Sequence, residues 1–144
     1  MNITGKGKVF LFLQGPHGPW FKLLGRMIAR SGAEVWRIGF NLGDEFFWPD
    51  RDRYIPWHGA AEDWPAELAR IFAEKGITDI VLYGDTRPIH AMAVEQARKA
   101  GIAVHVFEEG YLRPHWVTYE RGGSNGHSRL VDLTLPEMTE ALAD

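Results

Sequence analysis

Three short stretches of this sequence carry residue types that can move protons or hold anions. The densest is Glu108-Glu109-Gly110-Tyr111-Leu112-Arg113-Pro114, where two carboxylates follow directly on the apolar run Val104-His105-Val106-Phe107. Adjacent acids repel each other, so a fold keeps them together where solvent, a cation or a reaction makes use of them. The second stretch is Gly84-Asp85-Thr86-Arg87-Pro88, with His90 just beyond it. The planar fork of Arg87 suits a carboxylate or a phosphate. The third is Gln14-Gly15-Pro16-His17-Gly18-Pro19, at the start of a helical pattern. Its backbone N–H groups and the helix beginning behind them favour an anion.

Other chemistries find no support. The six histidines (His17, His58, His90, His105, His115 and His127) lack the spacing of a metal site, so no metal is expected. There is no G-x-S-x-G elbow, no cysteine nucleophile and no phosphate-binding G-x-x-x-x-G-K-[ST] loop. What remains is acid/base or nucleophilic work by Glu108 or Glu109. Gln14, Gly15, His17, Asp85, Arg87, His90, Tyr111 and Arg113 would then hold an anionic substrate. Glycosyl transfer is one class that uses carboxylates in this way. Each stretch also has a purely structural reading. The two acids fit a solvated loop, residues 14–19 a plain tight turn, and Asp85 a helix cap or a partner for Arg87.

The elements around these stretches alternate. Lys8–Leu13 reads as a first strand, and Trp20, Leu23, Leu24, Met27 and Ile28 form the stripe of a helix ending at Ser31-Gly32. Ala33–Ile38 is a second strand. Residues 39–59 show no period and mix aromatics with Asp, Arg and Pro, which suits a functional loop or an insertion folded on the domain edge. Asp63 is placed to cap a helix with Pro65 in its first turn, Trp64, Leu68, Ile71 and Phe72 on its apolar face, and Gly76 at its end. Ile77–Tyr83 is a third strand, residues 89–100 a helix with a small-residue stripe, and Ile102–Phe107 a fourth strand.

This β-α-β-α-β-α-β order predicts an α/β fold with a parallel sheet of four or slightly more strands and helices on both faces. The expected strand order is 2-1-3-4. The ends of parallel strands share one side, so the loops 14–19, 84–88 and 108–116 are expected on a single rim, where open α/β sheets bind ligands. Residues 1–130 are expected to form this domain, and 131–144 a short helical segment or the start of a linker to a second domain.

Composition is ordinary for a globular chain of 144 residues, with 45% hydrophobic and 24% charged residues. A formal net charge of −3 offers no case for a nucleic-acid binder. No apolar run approaches the ~20 residues that span a bilayer, and the chain reads as cytoplasmic.

Taken together and in order, Phe12-Leu13-Gln14-Gly15-Pro16, Tyr83-Gly84-Asp85-Thr86-Arg87-Pro88 with His90, Glu108–Pro114, and Gly123-Ser124-Asn125-Gly126-His127-Ser128 resemble the N-terminal part of the capsule polysaccharide biosynthesis and export family, its KpsS-type members in particular. The resemblance implies a Rossmann-like three-layer domain similar to the N-terminal, acceptor-side half of a GT-B glycosyltransferase. It implies transfer of β-linked Kdo (3-deoxy-D-manno-octulosonic acid) from CMP-Kdo, with no cofactor or metal. The acceptor would be a phosphatidylglycerol-type lipid or the Kdo linker growing on it. The work would take place at the cytoplasmic face of the inner membrane, with peripheral membrane contact and other capsule biosynthesis or export proteins as partners. Glu108-Glu109-Gly110 then resembles the acidic-acidic-Gly motif of related CMP-sugar transferases, with Glu108 at the first acidic position as the acid/base group and Glu109 holding the loop. Such enzymes hold CMP through a His-Pro motif, and this chain has no His-Pro dipeptide. The resemblance therefore implies about half of such an enzyme, inactive alone, with the donor bound mainly by a second domain. Two other classes stay open: a non-catalytic Rossmann-like module for an anionic ligand or an export partner, and half of a GT-B-like sugar-nucleotide epimerase.

Overall fold

The computed structural model describes residues 4–110 and 116–141. Strand β1 (Val9–Phe12) leads through helix α1 (Trp20–Arg30) to β2 (Glu34–Gly39). A short helix α2 (Leu42–Phe46) and a 3-10 turn then lead to β3 (Tyr54–Pro56). Helix α3 (Trp64–Lys75) precedes β4 (Asp79–Tyr83), and α4 (Pro88–Lys99) precedes β5 (Ala103–Glu109). The chain continues in β6 (Val117–Arg121), two 3-10 turns and α5 (Leu135–Ala141).

The sheet runs β3-β2-β1-β4-β5-β6. Its first five strands are parallel, and β6 returns antiparallel on β5. The four strands foreseen from the sequence form its centre in the foreseen order. The two extra strands occupy the edges.

Alternation along the strands sorts side chains to the two faces. Leu11, Leu13, Ile80, Leu82, Val104 and Val106 pack beneath α3 and α4 with Trp64, Leu68, Ile71, Ala93 and Ala97. Phe12, Val35 and Val81 pack under α1 with Phe21 and Trp48. The small residues Ala93 and Ala97, both fully buried, let α4 lie close to the sheet. Trp64 is also fully buried, and its indole N–H donates to Ile89 O at 2.9 Å, tying α3 to the start of α4. Burying side chains of this size stabilises by about 1.5–3 kcal/mol each.

Two local expectations change. Asp63 holds the N-cap position of α3, but its side chain makes no capping bond; it sits in a helical conformation at the end of the 3-10 turn Ala61–Asp63. Residues 39–59 are no plain loop. They contain α2, capped by Asn41 accepting from Asp44 N at 3.0 Å, and the edge strand β3.

Candidate functional site

The C-terminal ends of β1, β2, β4 and β5 bring the sequence-derived residues together. Directly after β1, Gln14 Oε1 accepts from Arg87 Nη1 at 2.7 Å, so the first and second loops meet across the rim. Gly15 is packed against the buried Phe21, where an added Cβ would come within 2.4 Å of the ring. A residue with a Cβ fits there only if the Phe21 ring moves. His17 is exposed in the turn that follows.

After β4 the chain turns at Gly84, whose φ of 71° favours glycine. Its N–H donates to Phe107 O at 2.8 Å, joining this turn to β5. Asp85 is buried, and the next two residues, Thr86 and Arg87, rise to the surface before α4 begins at Pro88. Arg87 is exposed and points its guanidinium back to Gln14.

His90 lies in the first turn of α4 and is fully buried. Its Nδ1 is 2.6 Å from Gly84 O. A carbonyl only accepts, so Nδ1 carries the hydrogen and Nε2 is bare. Nε2 is buried without a hydrogen-bond partner among the described residues. Burial, with Arg87 adding to it, pushes the ring down to about 4, against the pull of the Gly84 carbonyl. His90 therefore stays neutral at physiological pH. Its place is beneath the rim, bracing the Gly84 turn, not on the surface that would meet a substrate.

Glu108 and Glu109 are the last two residues of β5, not part of a loop beyond it. The reason is β6, which pairs Glu108 with Thr118 and Glu109 with Val117 and so prolongs the strand. Alternation sends the two side chains to opposite faces. Glu108 follows Val104 and Val106 toward the α3–α4 side and is half-buried; Glu109 is exposed. Gly110 then donates to Trp116 O at 2.9 Å. Tyr111, Arg113 and His115 lie outside the described residues.

Glu108 meets a residue the sequence reading left without a role. Ser124 is 2% exposed, and its Oγ lies 2.7 Å from Glu108 Oε1 and 3.3 Å from Asp85 Oδ1. Its backbone N–H donates to Asp85 Oδ2 at 2.9 Å. His127 Nδ1 stands 3.3 Å from the same Asp85 Oδ2 at the solvent edge. The Gly-rich segment is therefore pinned over the ends of β4 and β5, and it also donates Gly122 N to Val104 O at 2.9 Å. A cavity of about 100 Å³, lined by Asp85, Val94, Arg98 and His127 among others, opens beside it.

A second feature was missed entirely. At the end of β2, Arg37 and Asp44, both under a tenth exposed, pair at 2.7 Å. Asp44 Oδ2 also accepts from Phe40 N at 3.0 Å. The Arg37 guanidinium lies 5.4 Å from the centre of the Phe21 ring and 5.8 Å from that of Trp48. Burial lowers the Arg37 pKa and Asp44 opposes the shift. Only a cation inside the strand run Val35-Trp36-Arg37-Ile38 hinted at this pair.

The opposite end of the sheet holds a separate network. Asp79 accepts from Lys8, Thr78 and His105, and His105 Nδ1 is 2.7 Å from the Tyr119 hydroxyl. Burial alone would raise the Asp79 pKa, but these donors outweigh it and hold the carboxyl below its usual range. Among the described residues no group of His, Asp or Glu could hold a metal ion, and no helix is long and apolar enough to cross a membrane.

Residues 78–138 match the family model described as capsule polysaccharide biosynthesis protein. The capsule polysaccharide export protein KpsS of Escherichia coli is 36% identical over 130 residues, which make up 90% of this chain and 33% of that protein. The capsule polysaccharide modification protein LipB of Neisseria meningitidis serogroup A is 32% identical over 130 residues, 90% of this chain and 31% of that protein. Among solved structures, the UDP-GlcNAc 2-epimerase of Methanocaldococcus jannaschii superposes with a TM-score of 0.54 at 21% identity, over 74% of this chain and 32% of that one. MurG of Acinetobacter baumannii superposes with a TM-score of 0.55 at 14% identity, over 74% of this chain and 36% of that one. At such identities the two structures speak for the Rossmann-like fold alone. The sequence matches go further: the chain, which spans about a third of the curated relatives it matches, belongs to the capsule polysaccharide biosynthesis family.

Proposed function

We propose that this chain is the acceptor-side domain of a capsule glycosyltransferase that transfers Kdo from CMP-Kdo to a phosphatidylglycerol-type lipid or the Kdo linker growing on it. The observation that carries the reading is the position of Glu108. It is a carboxylate at the mouth of a parallel strand, held by Ser124 at 2.7 Å, on the rim that also carries Arg87 and Gln14. In the reaction Glu108 takes the proton of the acceptor hydroxyl as that oxygen bonds to the anomeric carbon. The bond from the anomeric carbon to the CMP phosphate breaks, and CMP leaves with the electron pair. Arg87, with Gln14, is the group that meets an anionic part of the acceptor. No cofactor or metal takes part, and the donor is bound mainly by a second domain.

A lipid acceptor fits the outer face of α1. This helix carries Lys22, Arg26 and Arg30, holds no acid, and exposes 51% of Leu23 and 66% of Met27. Such a face suits peripheral contact with an anionic membrane at the cytoplasmic side. Other capsule biosynthesis or export proteins are further candidate partners.

The test is CMP release from CMP-Kdo in the presence of a phosphatidylglycerol-type acceptor. The 144-residue chain alone should fold without turnover. Supplied with a donor-binding second domain, it should turn over, and Glu108→Gln should lower kcat by about 10²–10⁴-fold in a folded protein. Near-normal turnover by a folded Glu108→Gln protein rejects the assignment, as does robust turnover by the isolated chain.

A further inference from the structure

Beyond the acid itself, the geometry points to Ser124 as a positioning residue: its single hydroxyl hydrogen is shared between Glu108 and Asp85 and follows whichever carboxylate carries the negative charge. The inference rests on the reading of Glu108 as the acid/base group.

A serine hydroxyl has one hydrogen to give. Here two carboxylate oxygens compete for it, Glu108 Oε1 at 2.7 Å and Asp85 Oδ1 at 3.3 Å. With both acids ionised, the nearer Glu108 is the better acceptor. Asp85 still keeps the Ser124 backbone N–H at 2.9 Å and His127 at 3.3 Å. Once Glu108 has taken a proton, its oxygens become weaker acceptors and Asp85, still ionised, becomes the stronger one. Rotation about the Ser124 Cβ–Oγ bond then moves the hydrogen to Asp85. No backbone has to shift, because Ser124 is fixed by its own N–H and is 2% exposed.

Both protonation states of Glu108 are thus accommodated by the same heavy atoms. A base that must gain and lose a proton in every turnover needs such an arrangement, since a buried polar group left unsatisfied in either state is costly. Among the described residues, Asp85 shares the Ser124 hydroxyl with Glu108, His127 stands at the other side of Asp85, and Glu109 follows Glu108 in the strand.

The experiment reads the titration of Glu108 directly, by carboxyl carbon NMR on the 144-residue chain, and needs no turnover. Ser124→Ala should move the Glu108 midpoint upward, since a donor to the charged form is lost. Ser124→Thr keeps the hydroxyl and should restore it. Asp85→Asn should move the midpoint the other way, because a like charge is removed and the hydroxyl is left to Glu108. A Ser124 that only held the segment in place would leave the Glu108 midpoint unchanged in folded Ser124→Ala. If Ser124→Ala does not fold, Asp85→Asn still decides: an unchanged or raised Glu108 midpoint in that folded variant overturns the inference, as does an unchanged midpoint in folded Ser124→Ala. The two readings fail separately. Loss of the transferase role would appear as an active Glu108→Gln protein, whatever the NMR midpoints do.

Discussion

His90 gives this domain a weakness toward mild acid that can be measured. The ring is fully buried, donates Nδ1–H to Gly84 O at 2.6 Å, and is pushed down to about 4 from an ordinary 6.5. Above pH 6.5 the ring is neutral in the folded and the unfolded chain, and pH has no leverage through it. Below that, the unfolded chain binds a proton that the folded one refuses, so stability falls as pH falls until the folded ring itself titrates. Each unit is worth about 1.4 kcal/mol, so the loss is about 2 kcal/mol by pH 5 and about 3 kcal/mol near pH 4. Asp79 is held below its usual range and costs stability only at more acid pH, below the window from 6.5 to 5 in which His90 acts. Urea unfolding at pH 7, 6 and 5 can be followed by tryptophan fluorescence, with the buried Trp64, bonded to the residue before His90, as a reporter. The control is His90→Asn, whose amide can still donate to Gly84 O but does not titrate. It should be less stable throughout, because the smaller side chain leaves space, and its stability should change less between pH 6.5 and 5. Parallel slopes for the two proteins refute the reasoning.

Further outcomes follow from the rim. Gly15→Ala places a methyl group 2.4 Å from the buried Phe21 ring and should cost about 1–3 kcal/mol in thermal melts; an unchanged midpoint means that α1 can yield. Arg37→Met strands Asp44 as a buried charge and should cost about 3–5 kcal/mol. Adding Asp44→Asn should recover a large part of that loss, and a double variant no better than the single one removes charge burial as the cause. Arg87→Ala should change stability by no more than about 0.5 kcal/mol, since the side chain is exposed and its hydrogen bond is to Gln14 at the surface; a larger melting shift would make Arg87 a structural residue.

What could be read before folding follows from how each element is stabilised. The central strands and their helices are legible because burial writes a period into them: Trp64, Leu68, Ile71 and Phe72 repeat as a helix must, and Val104 to Phe107 is a continuous apolar run. The edges are not legible. β6 alternates between half-buried and exposed residues, and β3 is three residues long, so neither buries enough to leave a pattern. That blind spot misplaced Glu108 and Glu109, because only the pairing with β6 shows that the strand runs on through them. Ser124 and the Arg37–Asp44 pair escaped for a different reason. Their roles are contacts between residues 16 to 39 positions apart, or a cation inside an apolar run, and neither has a local signature. Gln14, Asp85, Arg87 and Glu108 were legible as a group because topology alone puts the ends of parallel strands on one side.

The fold itself does not choose among functions. One frame of parallel strands superposes on a UDP-GlcNAc 2-epimerase and on MurG with nearly the same TM-scores, 0.54 and 0.55, at identities too low to carry chemistry from either. The choice has to be made by side chains at the strand ends, and here alternation makes it sharp. Glu108 and Glu109 leave β5 on opposite faces, so one reacting atom can meet only one of them without a bend in the strand. Glu109 is the exposed one, at the last position of the strand. Glu108 is half-buried and meets the Ser124 hydroxyl, which also faces Asp85, and on that placement rests the proposal that it, and not Glu109, is the acid/base group.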